Sequence, residues 1–236
     1  MRVLSSDTGK EFFLPYDRLI LATGARSRRL GITGEEAQNI FTLKEMSDGL
    51  RIRNFIDLNN PRKAVIVGAG YISLEVAEAL RDRGIETTLL YRGKFPYSGL
   101  EPEVGPIIVK ELETHGVHYR GEVQPQFFDV DGKKARQLVT DQGSFPADLF
   151  FIGVGILPNS EIAREAGIIV GKSGGIGVNS LMQTSDPTIW AAGDCCEKLH
   201  LVAGENAVGG RVEFHGIVGG GLCQGVRPGN RYGRDQ

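Results

Sequence analysis

The chain has 236 residues, 41% of them hydrophobic and 24% charged, with a net charge of −2. That length is enough for one large domain or two small ones with a real core, and the near-neutral balance argues against nucleic-acid and membrane-surface proteins, which carry a basic excess. The longest apolar run, from Leu149 to Leu157, is too short to span a bilayer, and Met1–Lys10 lacks the apolar stretch of a signal peptide. Cys195, Cys196 and Cys223 cannot build a disulfide framework, so the expected location is cytoplasmic. Glycine is the unusual residue: 33 occur, about twice the usual ~7%, and 10 of them fall in the last 36 residues.

In chain order, Met1–Ser5 and Glu11–Leu14 flank a turn at Asp7-Thr8-Gly9 and predict a hairpin. Tyr16 to Gly24 predicts a short apolar strand stopped by glycine, and Arg26 to Gln38 a loop. Leu50, Ile52, Phe55 and Ile56 recur at helical spacing and predict a helix over Lys44–Leu58, ended by Asn59-Asn60-Pro61. Lys63–Val67 reads as a buried strand, Gly68-Ala69-Gly70 as a turn, and Tyr71–Arg83 as a helix with Ile72, Val76, Ala79 and Leu80 on its apolar side. Ile85–Tyr91 reads as a second strand, completing a β-α-β unit of parallel-crossover size. A helix over Pro102–His115 leads to a strand at Val117–Tyr119, then strand-like pieces at Val123–Val130 and Ala135–Thr140. Leu149–Gly155 is a buried strand, followed by a short helix (Ser160–Ala166), a strand near Ile168, an extended piece at Ile176–Val178 and a strand from Thr188 to Asp194. From His200 onward no periodicity is readable.

The chemistry starts at Gly68-Ala-Gly-Tyr-Ile-Ser73. A pyrophosphate reaches a helix N-terminus only where no side chain blocks it: Gly68 allows the tight turn, Gly70 the close approach, and a small third residue, here Ser73, the helix–strand packing. Placed between a strand and a helix, this pattern predicts a dinucleotide site. The second strand ends at Tyr91-Arg92, where an acid would bind the ribose hydroxyls of NAD; arginine suits the 2′-phosphate of NADPH, although a plain solvated charge is the alternative. Leu21-Ala-Thr-Gly24 and Trp190-Ala-Ala-Gly-Asp194 are small-residue stops after buried strands. The aspartate can accept hydrogen bonds from ribose-type hydroxyls without needing a partner cation. His115 and His118 straddle a helix end and read as surface or capping groups rather than metal ligands; no metal site is expected.

These motifs, in this order, resemble the pyridine nucleotide-disulfide oxidoreductases, and most closely their branch of coenzyme A-disulfide reductases and NADH oxidases or peroxidases. Tyr16–Ala25 is similar to the family's threonine-glycine flavin motif, Val67–Glu75 to its nicotinamide motif, Gly153–Asn159 to the strand closing the nicotinamide domain, and Thr184–Asp194 to the second flavin motif. The resemblance implies an α/β fold: a Rossmann-like NAD(P)-binding domain at 60–157 inserted into a partial, discontinuous FAD-binding domain, with pieces at 1–59 and 158–218, and an anomalous tail at 219–236. It implies FAD and NAD(P)H as cofactors. Thr23, Gly24, Gly193 and Asp194 would lie at the flavin, and Gly68, Gly70, Ser73, Tyr91, Arg92, Gly153 and Gly155 at the nicotinamide nucleotide. Glu75 would sit near the reacting rings. The implied reaction passes a hydride to the flavin and electrons on to a small disulfide such as coenzyme A disulfide, a peroxide or oxygen.

Several family parts have no counterpart in the sequence. These are the first glycine-rich flavin motif, the redox cysteine and the interface domain through which family members form homodimers. Cys195 and Cys196 read instead as small, semi-buried packing residues. Lys198–Val202 joins Ala203–Gly210 as though an internal piece were lost. The match stops near Gly219, where a shifted reading frame could spell the family's continuation in place of Gln224–Gly229. Two other readings stay open: a nucleotide-binding fragment without catalysis of its own, or a component of a ferredoxin or nitrite reductase system.

Overall fold

The computed structural model describes residues 1–97, 103–199 and 206–208. The expectations for the tail, Cys223, the junction beyond Leu199 and the residues beside Pro102 lie outside the described residues, except for a strand at Asn206–Val208.

The centre is a five-stranded sheet in which every neighbouring pair is parallel. Across it lie Ile40–Phe41, Leu149–Ile152, Lys63–Val67, Glu86–Leu90 and Val117–Arg120. From Lys63–Val67 the chain moves outward one strand at a time, crossing by the helices Tyr71–Asp82 and Val104–Thr114. It then returns through three antiparallel strands, Pro125–Asp131, Lys134–Thr140 and Gly143–Pro146, and enters the sheet again on the other side of Lys63–Val67. The chain direction therefore reverses between Lys63–Val67 and Leu149–Ile152. Gaps of this kind are where open α/β sheets bind ligands, at the carboxyl ends of the strands.

Both faces of the sheet are covered, which is why its strands read as unbroken apolar runs. Ala64, Ile66, Leu89, Leu149 and Phe151 pack under the helices with Ile56, Ala77 and Leu80. Val65, Val67, Leu90, Phe150 and Ile152 face the antiparallel strands with Phe128, Ala135 and Leu138. Phe150 and Phe151 are fully buried on opposite faces, worth about 1.5–3 kcal/mol each.

The glycine stops behave as expected: Gly84 and Gly116, each just past a helix, have φ of +74° and +76°. The helix Tyr71–Asp82 differs from the expected face. Ser73, Ala77 and Leu80 are its buried residues, while Ile72 and Ala79 are exposed. The helix lies close against the strands at its start, so its inner face takes small residues and the bulky Ile72 turns outward.

Around this unit sit smaller pieces. Arg2–Leu4 and Glu11–Phe13 form the expected antiparallel hairpin, and Leu19–Leu21 runs parallel to Ile189–Ala191. The expected loop from Arg26 contains a short strand, Ala25–Ser27, paired antiparallel with Ile156–Pro158. Ile168 lies in no strand; its N–H ends the helix Glu161–Glu165 by donating to Ala163 O at 2.9 Å, so only Val170 makes a bridge, to Ile176. Cys196–Leu199 pairs with Ile176–Gly177 on one side and Asn206–Val208 on the other, strands too short to leave a readable alternation.

One buried amide joins the layers. Asn39, 1% exposed, donates through Nδ2 to the carbonyls of Ala135 (2.8 Å) and Asp148 (3.0 Å), and its Oδ1 accepts the Ala135 N–H at 2.8 Å. It satisfies the backbone where the register of the antiparallel strands shifts beside Ala135. Asn39→Ala strands these groups and is expected to cost about 2 kcal/mol. Urea unfolding checks this, and an unchanged midpoint would contradict it.

Candidate functional site

The direction reversal is closed by two glycines. Gly68 follows Lys63–Val67 and Gly153 follows Leu149–Ile152; Gly68 N–H donates to Leu90 O and Gly153 N–H to Val67 O, both at 2.8 Å. Gly68 has φ +103°, and a Cβ there would overlap the Gly153 carbonyl. Ser73 is 1% exposed and its Oγ donates to the Gly153 carbonyl at 3.2 Å. The structure thus places Ser73 at the helix–strand contact, turned into the sheet rather than toward the turn's open side.

Gly70 is different. It is the N-cap residue of Tyr71–Asp82, no side chain caps that end, and no acid lies in the first turn. A Cβ built on Gly70 would meet no described residue within 4 Å. Among the described residues no side chain takes the first-turn N–H groups, and these with the helix dipole suit an anion. A dinucleotide pyrophosphate fits this cradle, and a side chain at Gly70 would fill it.

The first part of the loop after Glu86–Leu90, Tyr91–Tyr97, is pinned at several points. Tyr91 N–H donates to Arg120 O (2.9 Å) and Val123 N–H to Tyr91 O (3.0 Å); Glu122 N–H reaches Gly93 O at 3.0 Å. The Tyr119 hydroxyl donates to Lys94 O at 3.2 Å, and burial pushes that phenol up to about 12. Tyr97 N–H donates to Ala69 O at 2.9 Å, folding the loop back onto the glycine turn. On this fixed loop Arg92 is exposed and makes no ion pair with any described residue. Glu75 is also exposed and accepts from the Tyr71 hydroxyl, a bond that holds the phenol above its usual pKa.

The other expected residues gather at the ends of Leu19–Leu21 and Ile189–Ala191. These strands are parallel neighbours, so Gly24 and Gly193 leave from the same end, and a Cβ on either would meet no described residue within 4 Å. Asp194 carries a partner that the sequence did not suggest: Lys44 Nζ lies 2.6 Å from its Oδ2, so the carboxylate is paired with a cation. Thr23 donates through Oγ1 to the Asn159 carbonyl. Gly155 has open space at its Cβ and accepts the Arg28 N–H at 2.9 Å. Cys195 and Cys196 are fully buried rather than semi-buried; Cys195 Sγ reaches the Ala192 carbonyl and Cys196 Sγ the Gly193 carbonyl, each at 3.2 Å. Lys44, Tyr97 and Tyr119 leave no local signal in the sequence, because each acts through a distant partner.

The sequence matches the family described as pyridine nucleotide-disulphide oxidoreductase over residues 1–209. The chain belongs to that family, and its α/β fold with a Rossmann-like parallel sheet is the family's. It is 34% identical over 240 residues to the NAD(P)H sulfur oxidoreductase (CoA-dependent) of Pyrococcus abyssi, covering 93% of this chain and 53% of that protein. It is 34% identical over 194 residues to the coenzyme A disulfide reductase of Staphylococcus haemolyticus, covering 81% of this chain and 42% of the relative. Among solved structures, the NAD-dependent persulfide reductase from A. fulgidus superposes with a TM-score of 0.83 at 33% identity, over 88% of this chain and 38% of that one. The chain spans about half the length of the curated relatives it matches. Among the described residues no helix is long and apolar enough to cross a membrane.

Proposed function

We propose that this chain is the nicotinamide-nucleotide-binding part of an FAD-dependent NAD(P)H oxidoreductase that reduces a small disulfide of the coenzyme A type, a peroxide or oxygen. The observation that carries the reading is the uncapped helix start at Gly70, open to an anion, beside the Gly68–Gly153 closure at the point of strand reversal. On this reading residues 60–157 form the nucleotide-binding domain, and 1–59 with 158–218 supply the flavin side. The bound nucleotide would supply a hydride and the flavin would accept it.

The chain's own residues hold and orient. Gly68 and Gly153 bring two strand ends together, and the helix N–H groups beyond Gly70 take the pyrophosphate. Tyr91 and Arg92 read the adenosine ribose, with the arginine favouring a 2′-phosphate and hence NADPH. Gly155 leaves room for the nicotinamide, and Glu75, held by Tyr71, stands on the helix leading from the cradle. Gly24 and Gly193 leave room for the flavin beside Thr23, while Asp194, steadied by Lys44, accepts hydrogen bonds from its ribityl hydroxyls. For a disulfide acceptor the net change is NAD(P)H, a proton and one disulfide giving NAD(P)⁺ and two thiols. A cytoplasmic setting belongs to the same reading.

The test is anaerobic mixing of the FAD-loaded chain with NADPH. Bleaching of the flavin absorbance supports the proposal. Binding of nucleotide without bleaching would keep the nucleotide site but overturn turnover by this polypeptide alone, and failure to bind NADPH would overturn the proposal.

A further inference from the structure

The chain passes twice between the peripheral strands and the central sheet. It goes out through Ala25–Ser27 and comes back through Ile156–Pro158, and the two crossings are paired antiparallel. At the foot of this ribbon stands Asn159. Each of its four polar atoms is used against the segment Thr23–Arg26. Its backbone N–H donates to Gly24 O at 3.0 Å and its carbonyl accepts the Thr23 hydroxyl. Its Nδ2 donates to Thr23 O at 2.9 Å, and its Oδ1 accepts from Arg26 at 2.8 Å. The same guanidinium pairs with Glu161 at 2.7 Å, which ties in the helix Glu161–Glu165.

An amide side chain meets this need because it donates and accepts at once; a carboxylate would set an oxygen against the Thr23 carbonyl. The Arg26 and Glu161 side chains are about half exposed, where ion pairs add little stability. The network's contribution is therefore geometric. It links the Thr23–Gly24 turn to the segment that runs on from Gly153 and Gly155.

We infer that Asn159 is a positioning residue: it locks the flavin-side turn Thr23–Gly24 to the exit from the nucleotide-binding unit and so fixes the separation of the two sites. This inference rests on the proposed function. Misplacing reacting groups by about 1 Å costs on the order of a hundredfold in rate. The structure-only consequence is that the ribbon should open when Asn159 is removed while the parallel sheet stays intact.

Asn159→Ala and Asn159→Asp test this in two arms on the full chain. In the first, amide hydrogen exchange without cofactors should speed up at Thr23–Ser27 in both variants, with Lys63–Val67 as protected as in the wild type. In the second, the FAD-loaded variants should bind NADPH with unchanged affinity but be reduced about ten- to a hundredfold more slowly in a single turnover. Unchanged exchange at Thr23–Ser27 overturns the clamp. Loss of NADPH affinity in step with rate overturns the positioning role. If the wild type itself neither binds NADPH nor bleaches, the proposed function fails, and the exchange arm still decides whether Asn159 clamps the ribbon.

Discussion

Gly68→Ala is expected to destabilise the nucleotide-binding unit strongly, and Gly70→Ala, two residues away, to leave its stability nearly unchanged but weaken binding. At Gly68 an added methyl meets two penalties. The backbone has φ +103°, a region L side chains avoid, and the Cβ would overlap the Gly153 carbonyl. Strain of about 1–3 kcal/mol and a similar overpacking cost add to about 3 kcal/mol or more, a large fraction of a domain's stability. At Gly70 the backbone is at φ −84° and ψ 176°, which any residue adopts, and the space ahead is open. The fold should lose less than about 1 kcal/mol there. The methyl would instead occupy the room the pyrophosphate needs, and NADPH affinity should fall by about tenfold or more. Thermal melting and NADPH titration of both variants separate the effects. A Gly68→Ala protein as stable as the wild type, or a Gly70→Ala protein with wild-type affinity, would contradict the assignment.

Arg92→Glu should reverse the nucleotide preference. A charge-assisted hydrogen bond to a phosphate is worth about 1.5–3 kcal/mol, so the ratio of NADPH to NADH affinity should drop by about tenfold or more. A carboxylate at that strand end can also accept from the ribose hydroxyls of NADH, which moves the ratio in the same direction. The substitution acts locally because the loop is held by the backbone of Arg120, Val123 and Ala69 and by the Tyr119 hydroxyl. Titration with both nucleotides reads the ratio. An unchanged ratio rejects the role given to Arg92.

The parts of the fold legible in the sequence are those with local causes. Lys63–Val67 followed by Gly68-Ala69-Gly70 carries a strand, a turn and a helix start within eight residues, and each choice agrees with the next. The helix Met46–Asn59 and its left-handed stop at Asn60 are legible for the same reason. What stayed hidden depends on partners far along the chain. The strand Ala25–Ser27 exists only because Ile156–Pro158 lies beside it. Lys44 meets Asp194 across 150 positions, and nothing near either residue announces the pair. Ser73 could be read as a phosphate contact or as packing from the sequence alone; the Gly153 carbonyl beside it gives it a packing partner.

The glycine excess divides along the same line. Gly68 is needed because a Cβ there would overlap the Gly153 carbonyl, and Gly153 because its own would overlap the Ser73 hydroxyl, while a Cβ on Gly24, Gly70, Gly155 or Gly193 would meet no described residue. Gly24, Gly155 and Gly193, at φ +65°, +103° and +86°, are held to glycine by their backbone conformation as well, whereas at Gly70 the backbone suits any residue and alanine would cost the fold little.

Calorimetric titration of this chain with NADPH, and separately with NADH, tests the central claim most directly. One nucleotide bound per chain, with NADPH the tighter and the Gly70→Ala variant showing weakened binding of both, is the predicted result. A folded chain that takes up neither nucleotide would contradict the assignment of the Gly68–Gly70 turn as a dinucleotide site.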